Sequence, residues 1–591
     1  MLNRRWLSTV AGVAAAAALA GTAFANEPVT LHATIIRTVT PVTTAPLRDL
    51  QYVNLPSIMR RIIGDQHFSQ HQINQLYEEL VNAGYLRPAE KSTILNRTIK
   101  PAMSEAPQVH DSVVQSKLFL PQPNSITAGV SFAGIGISGG DSIGCAPPDT
   151  DMAVGDDYVV EIVNLCSGAG AGAFKVWDKS GNVVQSTTSL AGLWTSGSGC
   201  DMGNGDNVVL YDQLAHRWIL SQFNNAITGE CVAVSTTSDP TGSYYLYNFV
   251  IDPTGFTDYP KIGKWIVGDP RHDAYFVTDN DFTNNDVYVN FTALERDQML
   301  LGNAAQEIVI NGPSTNGGGL DYSALPADLD GSTLPPSNVP GLFANYVSPY
   351  LFGGSTPYAL ATWAMNVNWS TPSATLYGPR LVAVAPFNDG ICNQSRACIP
   401  QPGGSNLDAL GDRLMFRLAY RHFASIHRQI LVVNQAVGTG GAPSSPPAGI
   451  RWYQLIASDA GPGSWTVWQQ GTYLPNDGNS RWMGSIAMDK KGNAGMAFSM
   501  SSASLDPSVA FTGQNVAAAR ARSNVMDAGE TMMVTGGGVQ SGTGNRWGDY
   551  SSIMTDPADD CTFWAADEYI SATGSFHWST YLGSFKFNNC N

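Results

Sequence analysis

One pattern recurs along this chain and restricts its fold more than any other: a polar opening, a short apolar strand, a tight turn and a second strand. Its clearest instance is Arg546-Trp547-Gly548-Asp549-Tyr550-Ser551-Ser552-Ile553-Met554-Thr555-Asp556, followed by Asp560-Cys561-Thr562-Phe563-Trp564. Arg546, Asp549 and Tyr550 hold the opening, and Asp556-Pro557-Ala558-Asp559 turns the chain. Six looser copies precede it. They open at Pro148-Asp149-Thr150-Asp151, at Asp206-Asn207, at Asp258-Tyr259-Pro260-Lys261, more weakly at Leu325-Pro326-Ala327-Asp328-Leu329-Asp330, at Gly411-Asp412-Arg413-Leu414, and at Ser480-Arg481-Trp482. The openings recur at irregular intervals of roughly 50–85 residues, room for four short strands and long loops. No such unit can bury both faces alone, so neighbours must stack, and a ring removes the open edges. The expectation is an all-β chain folded as a β-propeller with seven blades, or six if the weak fourth unit is an insertion. A pair of long β-sandwiches is the alternative architecture.

The flanking segments differ. Residues 1–25 carry Arg4 and Arg5, an apolar run from Val10 to Ala20 and the small-x-small string Ala23-Phe24-Ala25, which together read as a secretory signal peptide. That run is too short to span a bilayer and nothing later is long enough, so the mature chain is expected to be secreted, with no membrane span. Residues 26–125 lack Cys and read as a helical or partly extended N-terminal region. Ser69 is an N-cap, Ile73, Leu76, Tyr77, Leu80 and Val81 share a face, and Gly84 ends the helix. Residues 126–591 form the propeller domain, and the stretch from Val130 to Gly136 is placed to pair with the last unit. The eight Cys suit an oxidising compartment, with local pairings Cys145–Cys166, Cys200–Cys231, Cys392–Cys398 and Cys561–Cys590. Zinc is disfavoured, because there is no CxxC pair and the His are scattered.

Strand openings in a propeller converge on one funnel, so these predict the site. They supply Asp149, Asp258, Tyr259, Lys261, Arg413, Arg481, Arg546, Asp549 and Tyr550. Arginine forks match carboxylate, sulfate or phosphate, and paired aspartates supply an acid and a base. The bland alternative is Arg–Asp pairs that satisfy each other and lock the blades, while Asp489, Asp556 and Asp559 cap turns. A net charge of −16 excludes nucleic acid as a partner. It leaves carboxylates for calcium at Asp149/Asp151, Asp328/Asp330 or Asp279-Asn280-Asp281. No HExxH string and no phosphate-cradling Gly-Lys-Ser/Thr ending is present, and the Gly-Ser runs at 196–200 and 538–545 lack the following helix that a nucleophile elbow needs and read as loops.

The same strings, with Val209-Leu210-Tyr211-Asp212-Gln213-Leu214 and Ala327-Asp328-Leu329-Asp330-Gly331, give residues 140–590 a resemblance to the sialidase-like superfamily of secreted β-propellers. Ser238-Asp239-Pro240-Thr241-Gly242 and Ser458-Asp459-Ala460-Gly461-Pro462-Gly463-Ser464-Trp465 echo that family's Asp-box turns, but its Arg-Ile-Pro string is missing. The resemblance implies an arginine triad of Arg413, Arg481 and Arg546 with Lys261 nearby, a nucleophile at Tyr550 or Tyr259, and an acid/base at Asp149 or Asp258. Beside these, Asp549 completes the carboxylate set, and Glu161 or Glu568 is the nearest glutamate helper. The functional expectation is a secreted glycan-active enzyme, hydrolase or lyase, acting on a glycan or other anionic extracellular ligand in the funnel. The alternative is a non-catalytic binding or adhesion propeller stabilised by disulfides and calcium. A calcium-dependent phosphatase like the propeller phytases is the third reading, without a matched motif.

Overall fold

The computed structural model describes residues 28–49, 102–103, 109–119 and 125–591, without 142, 144–145, 166–171, 284–285, 316–318, 393–396, 439–446, 461–463, 542–545 and 576. Within them the chain is all-β, with a few short helical turns. Seven four-stranded antiparallel units follow one another along the described residues, the fourth and fifth joined into one larger sheet, with a two-stranded piece of Ala397–Ile399 and Leu407–Asp408 between those two. The first comprises Asp151–Val154, Tyr158–Asn164, Gly172–Asp178 and Val183–Ser189. The second comprises Val208–Asp212, Arg217–Phe223, Gly229–Ser235 and Tyr244–Val250. The third comprises Thr257–Trp265, Ala274–Thr283, Asp286–Glu295 and Ala305–Asn311. The fourth, weakest in sequence, is a full sheet of Leu325–Leu329, Gly341–Val347, Ala359–Asn368 and Ser373–Ala383. The fifth comprises Met415–Phe423, Arg428–Val437, Gly449–Ser458 and Thr466–Tyr473. The sixth comprises Ser480–Met488, Ala494–Ser502, Leu505–Gln514 and Thr531–Val534. The seventh takes Ser552–Thr555, Thr562–Ile570 and Trp578–Phe587 from the end of the chain and Ile126–Gly136 from the beginning, the latching strand expected from sequence.

Each first strand packs beside the next, and the seventh beside the first. Only in the fourth and fifth sheets do these strands also pair through backbone, in parallel, with Ala327 opposite Leu418 and Leu329 opposite Tyr420. Elsewhere side chains bridge the gap. Asp151 accepts the Val209 N–H (2.9 Å), Asp212 the Tyr275 hydroxyl (2.8 Å), and Asp328 the Lys264 ammonium (2.8 Å). Arg417 holds Asp328 (2.8 Å) and Asp330 (2.5 Å) and donates across to the Ile553 carbonyl (3.2 Å). Hydroxyls complete the set: Ser485 to Phe416 O (2.8 Å), Ser551 to Met483 O (2.7 Å) and Ser552 to Met152 O (3.3 Å).

Both faces of the sheets are apolar because each meets a neighbour. Every sheet buries a tryptophan: Trp177, Trp218, Trp265, Trp363, Trp452, Trp482 and Trp578, in chain order. Phe343 of the fourth sheet meets Phe276 and Phe291 of the third edge-on, with centroids 5.3 and 5.1 Å apart. The acidic turns act as expected. Asp489 accepts the N–H groups of Lys491 and Asn493, Asp556 that of Ala558, and Asp559 those of Cys561 and Thr562.

The described part of the N-terminal region is extended and runs backwards over the outer edges. Val29–His32 adds to the fourth sheet, Ile35–Val39 to the third and Val42–Thr43 to the second. Val114–Gln115 adds in parallel to the fifth. The helix expected around Ser69 to Gly84 lies outside the described residues, as do the signal segment and the Cys145–Cys166 pairing. The other three disulfides are present. No helix among the described residues is long and apolar enough to cross a membrane.

Close approach of the first strands sets a demand on Gly263. A Cβ there would lie 2.5 Å from the Ala327 carbonyl oxygen of the next sheet. Gly263→Ala is therefore expected to cost about 1–3 kcal/mol by overpacking. Gly354→Ala, with open space around the added carbon, should stay within about 0.5 kcal/mol. Equal losses for the two, in urea titrations, would contradict this packing.

Candidate functional site

The openings of five sheets meet around one buried lysine. A backbone device sharpens several of them. Asp149, Asp206, Tyr259, Ser323 and Met483 all adopt left-handed φ values between 46° and 57°. Each sits two residues before its first strand takes up regular pairing, at Asp151, Val208, Lys261, Leu325 and Ser485. Aspartate tolerates that conformation; tyrosine and methionine do so at a cost that surrounding contacts must cover.

Those contacts are visible at Tyr259. Its ring lies edge-on to Tyr550, with centroids 6.0 Å apart. The Lys261 Nζ sits 3.8 Å from both ring centres and donates to the Pro260 carbonyl (2.8 Å). The Arg413 guanidinium covers Tyr259 at 4.4 Å. Tyr550 donates to the Asn207 carbonyl (3.2 Å), tying the seventh sheet to the second opening. Two tyrosine faces thus replace the hydration shell of one ammonium. Burial lowers Lys261 to about 8, against the opposing pull of Asp206, Asp149, Asp151 and Asp549. Burial raises both tyrosines well above the ordinary phenol range, so neither is poised to ionise.

Two aspartates beside this floor occupy unlike surroundings. Asp149 accepts from the Asn164 amide (3.0 Å) and from the backbone N–H of Asp549 (2.8 Å). Burial pushes its carboxyl well above the usual range, the charges of Asp549 and Asp206 push it further, and Arg546 pulls back. Asp549 is partly exposed and ion-paired with Arg546 (3.1 Å). Glu568, buried behind them, accepts the Gly548 N–H (2.7 Å), and its other oxygen meets no hydrogen-bond partner among the described residues. Burial raises it too. Asp258 lies on the far side of the kink at Tyr259, opposite Asn280.

The three expected arginines do not form a triad. Arg413 grips Asp412 (2.7 Å) and the Tyr322 hydroxyl (2.9 Å). Arg481 is completely buried between Asp477 (2.7 Å) and Glu530 (2.7 Å). Arg546 spans Asp408 (3.4 Å) and Asp549 (3.1 Å). The ion pairs just named are all different. Arg481 precedes the kink at Met483, and its side chain is spent on loop carboxylates. The two aspartates offered for calcium at 328 and 330 are held by Lys264 and Arg417. Asp279 and Asp281 both accept from the Asn290 amide. Among the described residues no group of three or more His, Cys, Asp or Glu could hold a metal ion. Sequence reasoning missed Asp206 and Arg417 as site-shaping residues, although Asp206 heads a repeated opening and Arg417 lies in the strand Met415–Phe423 that follows one; those positions were the available signal.

No protein-family model and no curated protein matches this chain. Solved structures do, at low similarity. A PL25 ulvan lyase shares 12% identity at a TM-score of 0.32, over 71% of this chain and 92% of its own. A subtype N10 neuraminidase-like protein of A/little yellow-shouldered bat shares 9% at 0.30, over 68% and 99%. An α-L-arabinofuranosidase of Podospora anserina shares 12% at 0.28, over 79% and 99%. Similarity at this level fixes neither blade number nor chemistry.

The Lys261 environment predicts a pH signature. Its ordinary value is 10.5 and its folded value about 8. Between these the unfolded chain keeps a proton that the folded chain has lost, so this group adds stability as pH rises through that window. The melting temperature of the wild type should gain on that of Lys261→Met from pH 8 to 10. A constant difference across that range would refute the assignment.

Proposed function

We propose that the protein is a secreted glycan-active enzyme that cleaves a glycosidic bond at the mouth formed by the first-strand openings. The carrying observation is the unlike pair of carboxyls. Asp149 is buried, with its pKa raised, and Asp549 is partly open and held by Arg546. Two carboxyl groups whose surroundings separate their protonation states are the arrangement for general acid and base, or acid and nucleophile. Asp149 is assigned as the proton donor to the leaving oxygen. Asp549 activates water or attacks, and Arg546 holds it in place and faces the substrate. Lys261, Tyr259, Tyr550 and Arg413 form the floor that positions the pair. Asp258, beyond the Tyr259 kink, is the lesser candidate for acid/base work. Paired carboxyls favour hydrolysis; elimination would use the lowered lysine as base.

In the same reading the seven sheets are blades of one propeller spanning residues 126–591. Residues 1–25 direct export, and within the N-terminal region of residues 26–125 the stretches Val29–His32, Ile35–Val39, Val42–Thr43 and Val114–Gln115 brace the outer edges. The organisation of the first strands and the three disulfides support this view. A second reading, a binding or adhesion propeller, is favoured by one observation: most arginines near the openings already meet carboxylates.

The test is turnover on a panel of neutral and anionic polysaccharides, read as new reducing ends or unsaturated ends. Asp149→Asn and Asp549→Asn should each lower kcat by about 10²-fold or more, the usual weight of a positioned acid or base, while retaining the wild-type melting temperature. Arg481→Ala, off the mouth, serves to separate folding losses from chemical ones. Saturable glycan binding without turnover would establish the binding reading instead.

A further inference from the structure

The junction of the seventh sheet with the first holds three charged side chains that the mouth does not use: Lys175, Asp141 and Glu161. Lys175 and Glu161 stand directly opposite each other on the second and third strands of the first sheet, and so share one face of it. Asp141 follows the latching strand Ile126–Gly136, in a tight turn closed by its own N–H on the Gly136 carbonyl (3.0 Å). The side chains of Lys175 and Asp141 are only 9% and 13% exposed, and Glu161 is fully buried. The Trp177 ring shields the Lys175 Nζ, its centre 5.4 Å away.

The geometry gives each of the three a separate part. Lys175 Nζ and Asp141 Oδ2 are 3.8 Å apart, close enough to pair but beyond hydrogen-bond distance. Both oxygens of Asp141 are held by donors: the Thr187 hydroxyl donates to Oδ1 (2.6 Å) and the Gly136 N–H to Oδ2 (3.1 Å). Fixed donors of this kind polarise a carboxyl carbon and stabilise charge that develops on its oxygens. Glu161 accepts the Ile135 N–H (2.9 Å). Gly134 lets the latching strand come this close, since a Cβ there would lie 2.6 Å from Glu161 Oε2. Burial raises Glu161 to about 8, so at neutral pH it holds a proton. A protonated carboxyl beside an amine and a second carboxyl is placed to carry protons between them.

We propose that Lys175 and Asp141 become joined by an amide bond, which bolts the turn after the latching strand to the first sheet, with Glu161 as the proton carrier. The bond is independent of any chemistry at the mouth. Proton transfer within the ion pair gives a neutral amine and a neutral carboxyl, the forms that a site shut off from water favours. The amine nitrogen attacks Asp141 Cγ and the C–N bond forms. Glu161 passes its proton to the departing Asp141 hydroxyl, the C–O bond breaks and one water leaves. The surplus amine proton returns to Glu161, which ends as it began, and no oxidant or cofactor is consumed.

Peptide mass spectrometry of the purified full chain, after reduction and alkylation of the disulfides and then proteolysis, tests this. The wild type should yield a branched peptide joining the stretches around Asp141 and Lys175, lighter by one water than the two linear peptides together. Lys175→Arg, which keeps the charge but not the primary amine, and Asp141→Ala should lose it entirely. Glu161→Gln keeps an acceptor for the Ile135 N–H but has no acidic proton to give, and should lose most of it. Melting temperatures confirm that the variants are folded. Only linear peptides from the wild type, with Lys175 open to an amine-specific label after denaturation, would overturn the proposal. So would a branched peptide that persists undiminished in folded Glu161→Gln.

Discussion

The structure depends on how the first strands are held to one another without a shared backbone ladder. Apart from the fourth and fifth sheets, no backbone ladder joins the first strands among the described residues, and side chains do that work instead. Aspartates at 151, 212 and 328, serines at 485, 551 and 552, and Arg417 each reach from one sheet to the next. All are buried, so every donor left unmatched would carry a large desolvation cost. Arg417 is the most heavily engaged, touching the fourth and seventh sheets from the fifth. Polar links of this kind select one arrangement of stacked sheets, whereas the apolar faces between sheets would tolerate sliding.

The mouth inherits its character from those links. Because the polar side chains of the openings are used for joining sheets, few are left exposed. Arg546, Asp549, Asp412 and Asp206 keep part of their surface in solvent and Asp149 a small part, over a floor of Tyr259, Tyr550 and Lys261 that solvent scarcely touches. Left-handed residues at the openings bend the chain where it enters the strands, and at Tyr259 the ring's contacts with Lys261 and Arg413 offset the backbone cost. The result is an asymmetry between two neighbouring carboxyls, Asp149 almost wholly buried and Asp549 partly open beside Arg546.

Much of the fold was readable in the chain because its signals are local. Strand–turn–strand units, turn-capping aspartates such as Asp489 and Asp559, and short-range Cys pairs each depend on residues close in sequence. The latching stretch from Val130 to Gly136 was readable from its alternation of small and apolar residues. What escaped was set by contacts between units. Nothing near Arg481 in its own unit's opening announces that Glu530 will claim it, and Lys261 gives no sign of lying between tyrosines 291 positions apart. The extended strap was hidden for the same reason, since its partners lie hundreds of residues downstream.

That strap has a kinetic consequence. Thr34 bonds to Val309 across 275 residues, and Thr580 reaches Ile135 across 445. Contacts so distant in sequence slow folding, because loop closure must precede any gain from pairing. Val42 and Thr43 therefore have no native strand partner until Leu246 and Tyr245 have emerged, and the final sheet cannot assemble before the last strand exists. A chain wired this way stays uncommitted while it is being made, and its compact state closes in one late step when both ends come to hand.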